Sequence, residues 1–120
     1  MNTEGWLNEL FGAIDAKDVS RFAGFLTEDV QFHFGNMTPI NGRAAVQAMV
    51  DGFFQSIASL QHTVHEQWTQ GATVICRGTV TYCRLDGIKV SVPFANITKR
   101  TLGQVHDYRI FVDVSPLYAN

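Results

Sequence analysis

Charged side chains are scarce in this chain. Asp, Glu, Lys and Arg supply 17% of its 120 residues, against roughly a quarter in an average domain. The nine Lys and Arg are outnumbered by eleven Asp and Glu, for a formal charge of −2. That excludes a general binder of nucleic acid or anionic membranes, whose affinity comes from clustered positive charge. No segment approaches the roughly 18 apolar residues of a membrane span. Only two cysteines occur, Cys76 and Cys83. On one extended strand their spacing covers about 23 Å and its odd parity turns them to opposite faces, whereas a disulfide needs Cα atoms within roughly 7 Å. Both are expected as free thiols, which suits a reducing cytosol. There is no Cys-x-x-Cys pair and no His at zinc-site spacing from either Cys, so no metal or other cofactor is expected. The opening Met-Asn-Thr-Glu-Gly-Trp has no basic start leading into an apolar run, and a cytoplasmic location is the expectation. No repeat, low-complexity tract or linker interrupts the chain.

What is present is apolar surface, 46% of residues, with the aromatic share skewed to nine Phe beside three Tyr and two Trp. A chain of 13.4 kDa buries about two-thirds of its surface on folding and needs no staple. One domain spanning residues 1–120 is expected. That much ring area calls for a large core, a pocket or an interface.

Periodicity changes near residue 60. Trp6, Leu7, Leu10, Phe11 and Ile14 make one stripe of a helix over residues 4–16, with Asn2 and Thr3 as candidate caps and Glu4 well placed near the start. Asp18 opens a shorter helix carrying Val19, Phe22, Phe25 and Leu26, which Thr27-Glu28-Asp29 stops. Val30, Phe32 and Phe34 alternate with Gln31 and His33 as a short strand. After a loop to Gly42, residues 43–59 read as a long helix. Strands follow over 60–69, 72–84, 88–101 and 104–114, with His62, Val64, Glu66 and Trp68 sharing one face of the first and Asp86-Gly87 marking a hairpin. The last three strands are apolar on both faces. An antiparallel sheet with one wet face should alternate cleanly, so one face is expected against the helices and the other against a second subunit.

This order, with the phrases Ala16-Lys17-Asp18, Phe25-Leu26-Thr27-Glu28-Asp29-Val30, Asn41-Gly42-Arg43 and the closing Tyr108-Arg109-Ile110-Phe111-Val112-Asp113, resembles the nuclear transport factor 2-like superfamily in its SnoaL-like and ketosteroid isomerase-like branch. The resemblance covers nearly the whole chain and implies a single SnoaL-like domain of the α+β, cystatin-like class. In it a cone-shaped, curved mixed sheet wraps a long helix, with two N-terminal helices beside it. It also implies a deep pocket and a homodimer through the convex sheet face.

The family's catalytic sets do not transfer. Steroid-isomerase relatives use an Asp base at the end of the first strand, a Tyr on the first helix and a protonated Asp on a later strand. By the same register these fall at Phe34, Leu10 and near Ala95, all apolar. The acid of the epoxide-hydrolase relatives falls at Ile110.

The resemblance places Val30, Phe32 and Phe34 of the first strand on the concave face, with Met49 and Phe53 from the long helix. Arg77, Thr79, Ala95, Ile97, Tyr108, Ile110 and Val112 join them from the later strands. This reads as a mostly apolar pocket; for each Phe the alternative is a filled core. His62, at the start of the meander, is the candidate acid or base, against an exposed edge His. Tyr108 is the candidate donor to a ligand carbonyl, against a core Tyr bonded to backbone. Arg77, if inward, needs a carboxylate; otherwise it is a surface Arg. His33 and His65 are expected to face away, and His106 is a rim candidate. Asp113 is expected to cap the next turn or pair with Arg109. Asp15 is expected in solvent and Asn96 on the dimer side.

Three functions compete. The first is an isomerase, cyclase or hydratase acting on a small, largely apolar carbonyl compound through His62 and Tyr108. The second is a non-catalytic carrier of such a molecule, and the third is a protein-interaction dimer.

Overall fold

A computed structural model describes residues 3–119. The elements run α1 (Thr3–Asp15), α2 (Val19–Ala23), β1 (Leu26–Phe34), β2 (Ile40–Asn41), α3 (Arg43–Gln55), β3 (Ile57–Gln70), β4 (Thr73–Arg84), β5 (Lys89–Thr101), β6 (Gln104–Val112) and a 3₁₀ turn (Ser115–Tyr118). One mixed sheet has the order β2-β1-β6-β5-β4-β3. Among the described residues only the β1–β6 pair is parallel.

The stripe of α1 is buried from Trp6 to Ile14. The side chains of Asn2, Thr3 and Glu4, expected at its start, lie outside the described residues. Asp18 caps α2 by accepting the Arg21 backbone N–H at 3.0 Å, a bond that satisfies a first-turn donor. Helix α2 is shorter than expected because Leu26 already pairs with Val105 in β6. The Val105 N–H donates to the Phe25 carbonyl at 2.7 Å. Cross-strand pairing thus overrides the local helical pattern.

Helix α3 ends at Gln55 rather than running to residue 59. Lys17 Nζ donates to the carbonyls of Phe54 at 3.2 Å and Ile57 at 3.0 Å, placing a cation on the helix C-terminus, where the backbone dipole favours it. The next residues then pair with β4, Ile57 opposite Arg84.

Two of the register shifts in the sheet change which of the expected residues face inward. One, between Val64 and Glu66, puts Gln67 opposite Cys76, so Glu66 and Trp68 lie on the face opposite to His62 and Val64 rather than sharing theirs. An extra residue on one strand reverses the parity beyond it. A second register shift falls between Lys99 and Arg100 in β5. Near the first, Gly78 opposite Val64 lets the strands approach closely: a Cβ there would land on the Thr63 carbonyl oxygen. Among the described residues no helix is long and apolar enough to cross a membrane.

Candidate functional site

The concave face of the sheet, with α1 and α3 across it, encloses a cavity of about 330 Å³. Its walls include Phe34 from β1, Met49 and Phe53 from α3, His62 from β3, and Tyr108, Ile110 and Val112 from β6. Phe11, Phe94 and Asn96 line it as well. Phe32 does not; it is buried in the core with its ring 5.4 Å from Tyr108 and 6.5 Å from Phe22.

Arg77, Thr79, Ala95 and Ile97 lie on the convex face, contrary to the concave placement expected. Counting back from Gly103 crosses the Lys99–Arg100 shift, and each residue beyond it changes sides. Ala95 pairs with Arg77, and Thr79 with Pro93, so one miscount displaced both strands. Arg77 is ion-paired with Glu66 on that outer face. The inward residues of β5 there are Phe94 and Asn96, both buried, so Asn96 belongs to the cavity and not to the outer surface.

Asp15 is likewise not in solvent. Its Oδ1 lies 2.6 Å from His62 Nδ1, and its Oδ2 accepts the His62 backbone N–H at 2.9 Å. The two side chains are 24% and 11% exposed. The His62 ring stacks on Phe11 at 4.6 Å and meets Phe94 edge-on at 5.1 Å. With Nδ1–H donated to the carboxylate, the neutral imidazole keeps its lone pair on Nε2. The signal for Asp15 was available: it stands four residues after Phe11 and so shares that residue's face of α1.

Tyr108 is fully buried, and neither its hydroxyl nor the Oδ1 of Asn96 has a hydrogen-bond partner among the described residues. Burial, and secondarily the nearby Cys76 thiol, push the Tyr108 phenol far upward, so it stays protonated. Tyr82, also in the wall, is pushed up to about 12 by burial and then by Tyr118 and Asp15. Behind the wall, burial raises Cys76 to about 11 against the lowering effect of the Asn96 backbone. No cluster of metal-ligating side chains occurs among the described residues.

Elsewhere, Asp113 accepts the Ser115 N–H at 3.0 Å, while Arg109 pairs with Asp107 at 3.1 Å. His65 contacts Thr79 Oγ1 at 3.0 Å. His33 is half-buried. His106 borders a surface hollow with Asp29 and Asp107, away from the cavity.

Residues 7–108 match the family model of the SnoaL-like domain. The chain belongs to the SnoaL-like family. No curated protein matches this SnoaL-like domain in sequence. Solved structures resemble it closely in fold. An NTF2-like protein of unknown function from Burkholderia pseudomallei has a TM-score of 0.85 at 16% identity, covering 98% of this chain and 95% of that one. An LEH-like epoxide hydrolase from M. tuberculosis gives 0.80 at 14%, covering 94% and 84%. A protein with a ketosteroid isomerase-like fold from Catenulispora acidiphila, in complex with trimethylamine, gives 0.85 at 11%, covering 95% and 89%. At these identities the likeness speaks for the architecture of the SnoaL-like domain and not for its chemistry.

Proposed function

We propose that this SnoaL-like domain is an acid–base catalyst of the isomerase or cyclase type, acting on a small, largely apolar carbonyl compound held in the cavity. The observation that carries the reading is the Asp15–His62 pair set into an otherwise apolar wall. The carboxylate holds the imidazole twice, through Nδ1 and through the His62 backbone N–H. This fixes the tautomer and would stabilise the imidazolium that forms on proton uptake. Nε2 takes a proton from the carbon next to the carbonyl. The electron pair moves to the carbonyl oxygen, where the Tyr108 O–H donates a hydrogen bond to the growing charge. The imidazolium then returns its proton to another carbon in an isomerisation; in a cyclisation the enolate carbon attacks a second carbonyl, whose C=O electron pair goes to its oxygen, and the imidazolium protonates the resulting alkoxide.

The test is hydrogen exchange at the methyl group of acetophenone in heavy water, followed by NMR. Acceleration by the wild type and a loss of roughly 10²–10⁴-fold in His62→Ala, with Tyr108→Phe also slowed, support the reading. A ketone that binds without exchange overturns it in favour of a carrier, the reading that the apolar Phe34 favours.

We also propose a homodimer through the convex face, where Trp68 is 49% and Phe111 53% exposed beside the half-buried Ile75, Ala95 and Ile97. Phe111→Glu should convert a dimer to a monomer in light scattering. A monomeric wild type at high concentration removes this proposal.

A further inference from the structure

We propose that Asn96 is a specificity-determining residue which, with Tyr108, selects uncharged, oxygen-bearing apolar compounds and excludes carboxylates. The inference rests on the cavity being the ligand site and does not require turnover. Asn96 sits opposite Ile110, and Tyr108 opposite Thr98, so the two are diagonal neighbours on one face of the sheet, ordinarily about 7–8 Å apart. Asn96 is 3% and Tyr108 0% exposed, both line the cavity, and each carries a buried polar atom without a partner among the described residues. Leaving such atoms open in a folded protein is unfavourable, and a ligand oxygen in the cavity would relieve it. The phenol, held protonated, donates; the carboxamide offers both a donor and an acceptor.

The same wall refuses charge. None of the lining residues is Asp, Glu, Lys or Arg. Lys17, which reaches the C-terminal end of α3, is committed to the carbonyls of Phe54 and Ile57. The carboxylate that touches the wall, Asp15, would repel an anion. A carboxylate entering would be stripped of water and would meet no Lys or Arg in the lining, the His62 imidazole being already paired with Asp15.

Three probes of one shape separate these effects: acetophenone, ethylbenzene and benzoate, titrated by NMR against the wild type, His62→Ala, Asn96→Leu and Asn96→Ser. Acetophenone should bind about tenfold tighter than ethylbenzene, the effect of one or two net hydrogen bonds, and benzoate at least tenfold weaker than the ketone. The ketone's advantage should persist in His62→Ala and shrink several-fold in both Asn96 variants. Where Asn96→Leu does not fold, Asn96→Ser and the wild-type ranking still decide. Equal binding of ketone and hydrocarbon, or benzoate binding as well as the ketone, overturns the inference while leaving the cavity as a ligand site. Absence of binding by all three overturns the cavity reading and this inference with it.

Discussion

The two faces of β4, β5 and β6 are made from alternate residues of the same strands, yet they treat polar groups in opposite ways. On the convex face, where water is at hand, polar side chains pair with one another: Arg77 with Glu66, Thr79 with His65, Thr81 with Ser91. On the concave face the Tyr108 hydroxyl and the Asn96 carboxamide oxygen are buried without a partner among the described residues. Folding alone would favour the reverse, because an open group is unfavourable only where it is dry. The concave face is therefore polar at a stability penalty, and the outer face shows that the chain pairs such groups readily elsewhere. On the proposed binding role a ligand oxygen would meet these atoms, as a filled core would not.

The contrast depends on the sheet being curved, and its most vulnerable point is Gly78. Gly78→Ala would place a Cβ on the Thr63 carbonyl oxygen, a backbone atom unable to swing away. A loss of roughly 3 kcal/mol or more is expected from overpacking of this kind, read by urea unfolding. A neutral outcome would mean that β3 and β4 do not approach as closely as described.

The next effect is a dependence on pH confined to the dry face. An unfolded Cys76 or Tyr82 ionises near its ordinary value of 9.0 or 10.0, whereas burial holds the folded groups protonated to about 11 and 12. The folded state then binds more protons than the unfolded one. The stability these groups contribute is complete below pH 9 and is lost as pH rises through 11 to 12, with Cys76 accounting for about 2–3 kcal/mol. Denaturant midpoints measured from pH 8 to 11 should fall, and Cys76→Ala should flatten the lower part of that decline. A flat wild-type profile would show that these groups are not buried.

Much of this architecture is legible in the residues. Helix-period stripes mark α1 and α3, and alternation with Asp86-Gly87 marks β4 and β5, because burial on one face leaves a pattern in composition. The early start of β1, the two-residue β2 and the early end of α3 are not legible in that way. They follow from pairing with β6 and β4 and from Lys17 reaching across from a distant turn. The site suffered most from bulges, which change parity without any compositional mark. The shift at Lys99–Arg100 moved Ala95 and Ile97 outward and Asn96 inward. Phe34, Met49, Phe53, His62 and Tyr108 line the cavity, on the side where the resemblance set them. Asp15 was missed because an acid ending a helix reads as solvated unless its i−4 neighbour is weighed with it.

A smaller effect carries the opposite sign. Tyr108→Phe removes a buried hydroxyl with no partner among the described residues and keeps the ring against Phe22 and Phe32. The ligand-free protein should become more stable by about 1 kcal/mol, visible as a rise in Tm by calorimetry. Gain of stability with loss of ketone binding would be the trade expected of a functional group. A drop in Tm would mean that the hydroxyl is bonded in the free protein.

The smallest effect should come from the outer face, and it supplies the control. Arg77 and Glu66 form an ion pair with side chains 54% and 48% exposed, flanking the bulge that separates the two halves of β3. Exposed pairs contribute about 0.2–1 kcal/mol and are screened by salt. Arg77→Ala should therefore shift the urea midpoint slightly, and raising the salt concentration should erase the difference. Because Arg77 points away from the cavity, the ranking of acetophenone, ethylbenzene and benzoate should not move. If Arg77→Ala instead improved benzoate binding relative to the ketone or worsened it sharply, the guanidinium would be sensed by the ligand, and the assignment of this residue to the convex face would be wrong. If the shift persisted in high salt, the pair would be holding the bulge in register, and Arg77→Ala would then also be expected to loosen the approach of Gly78 to Thr63 on the other side of the same strands.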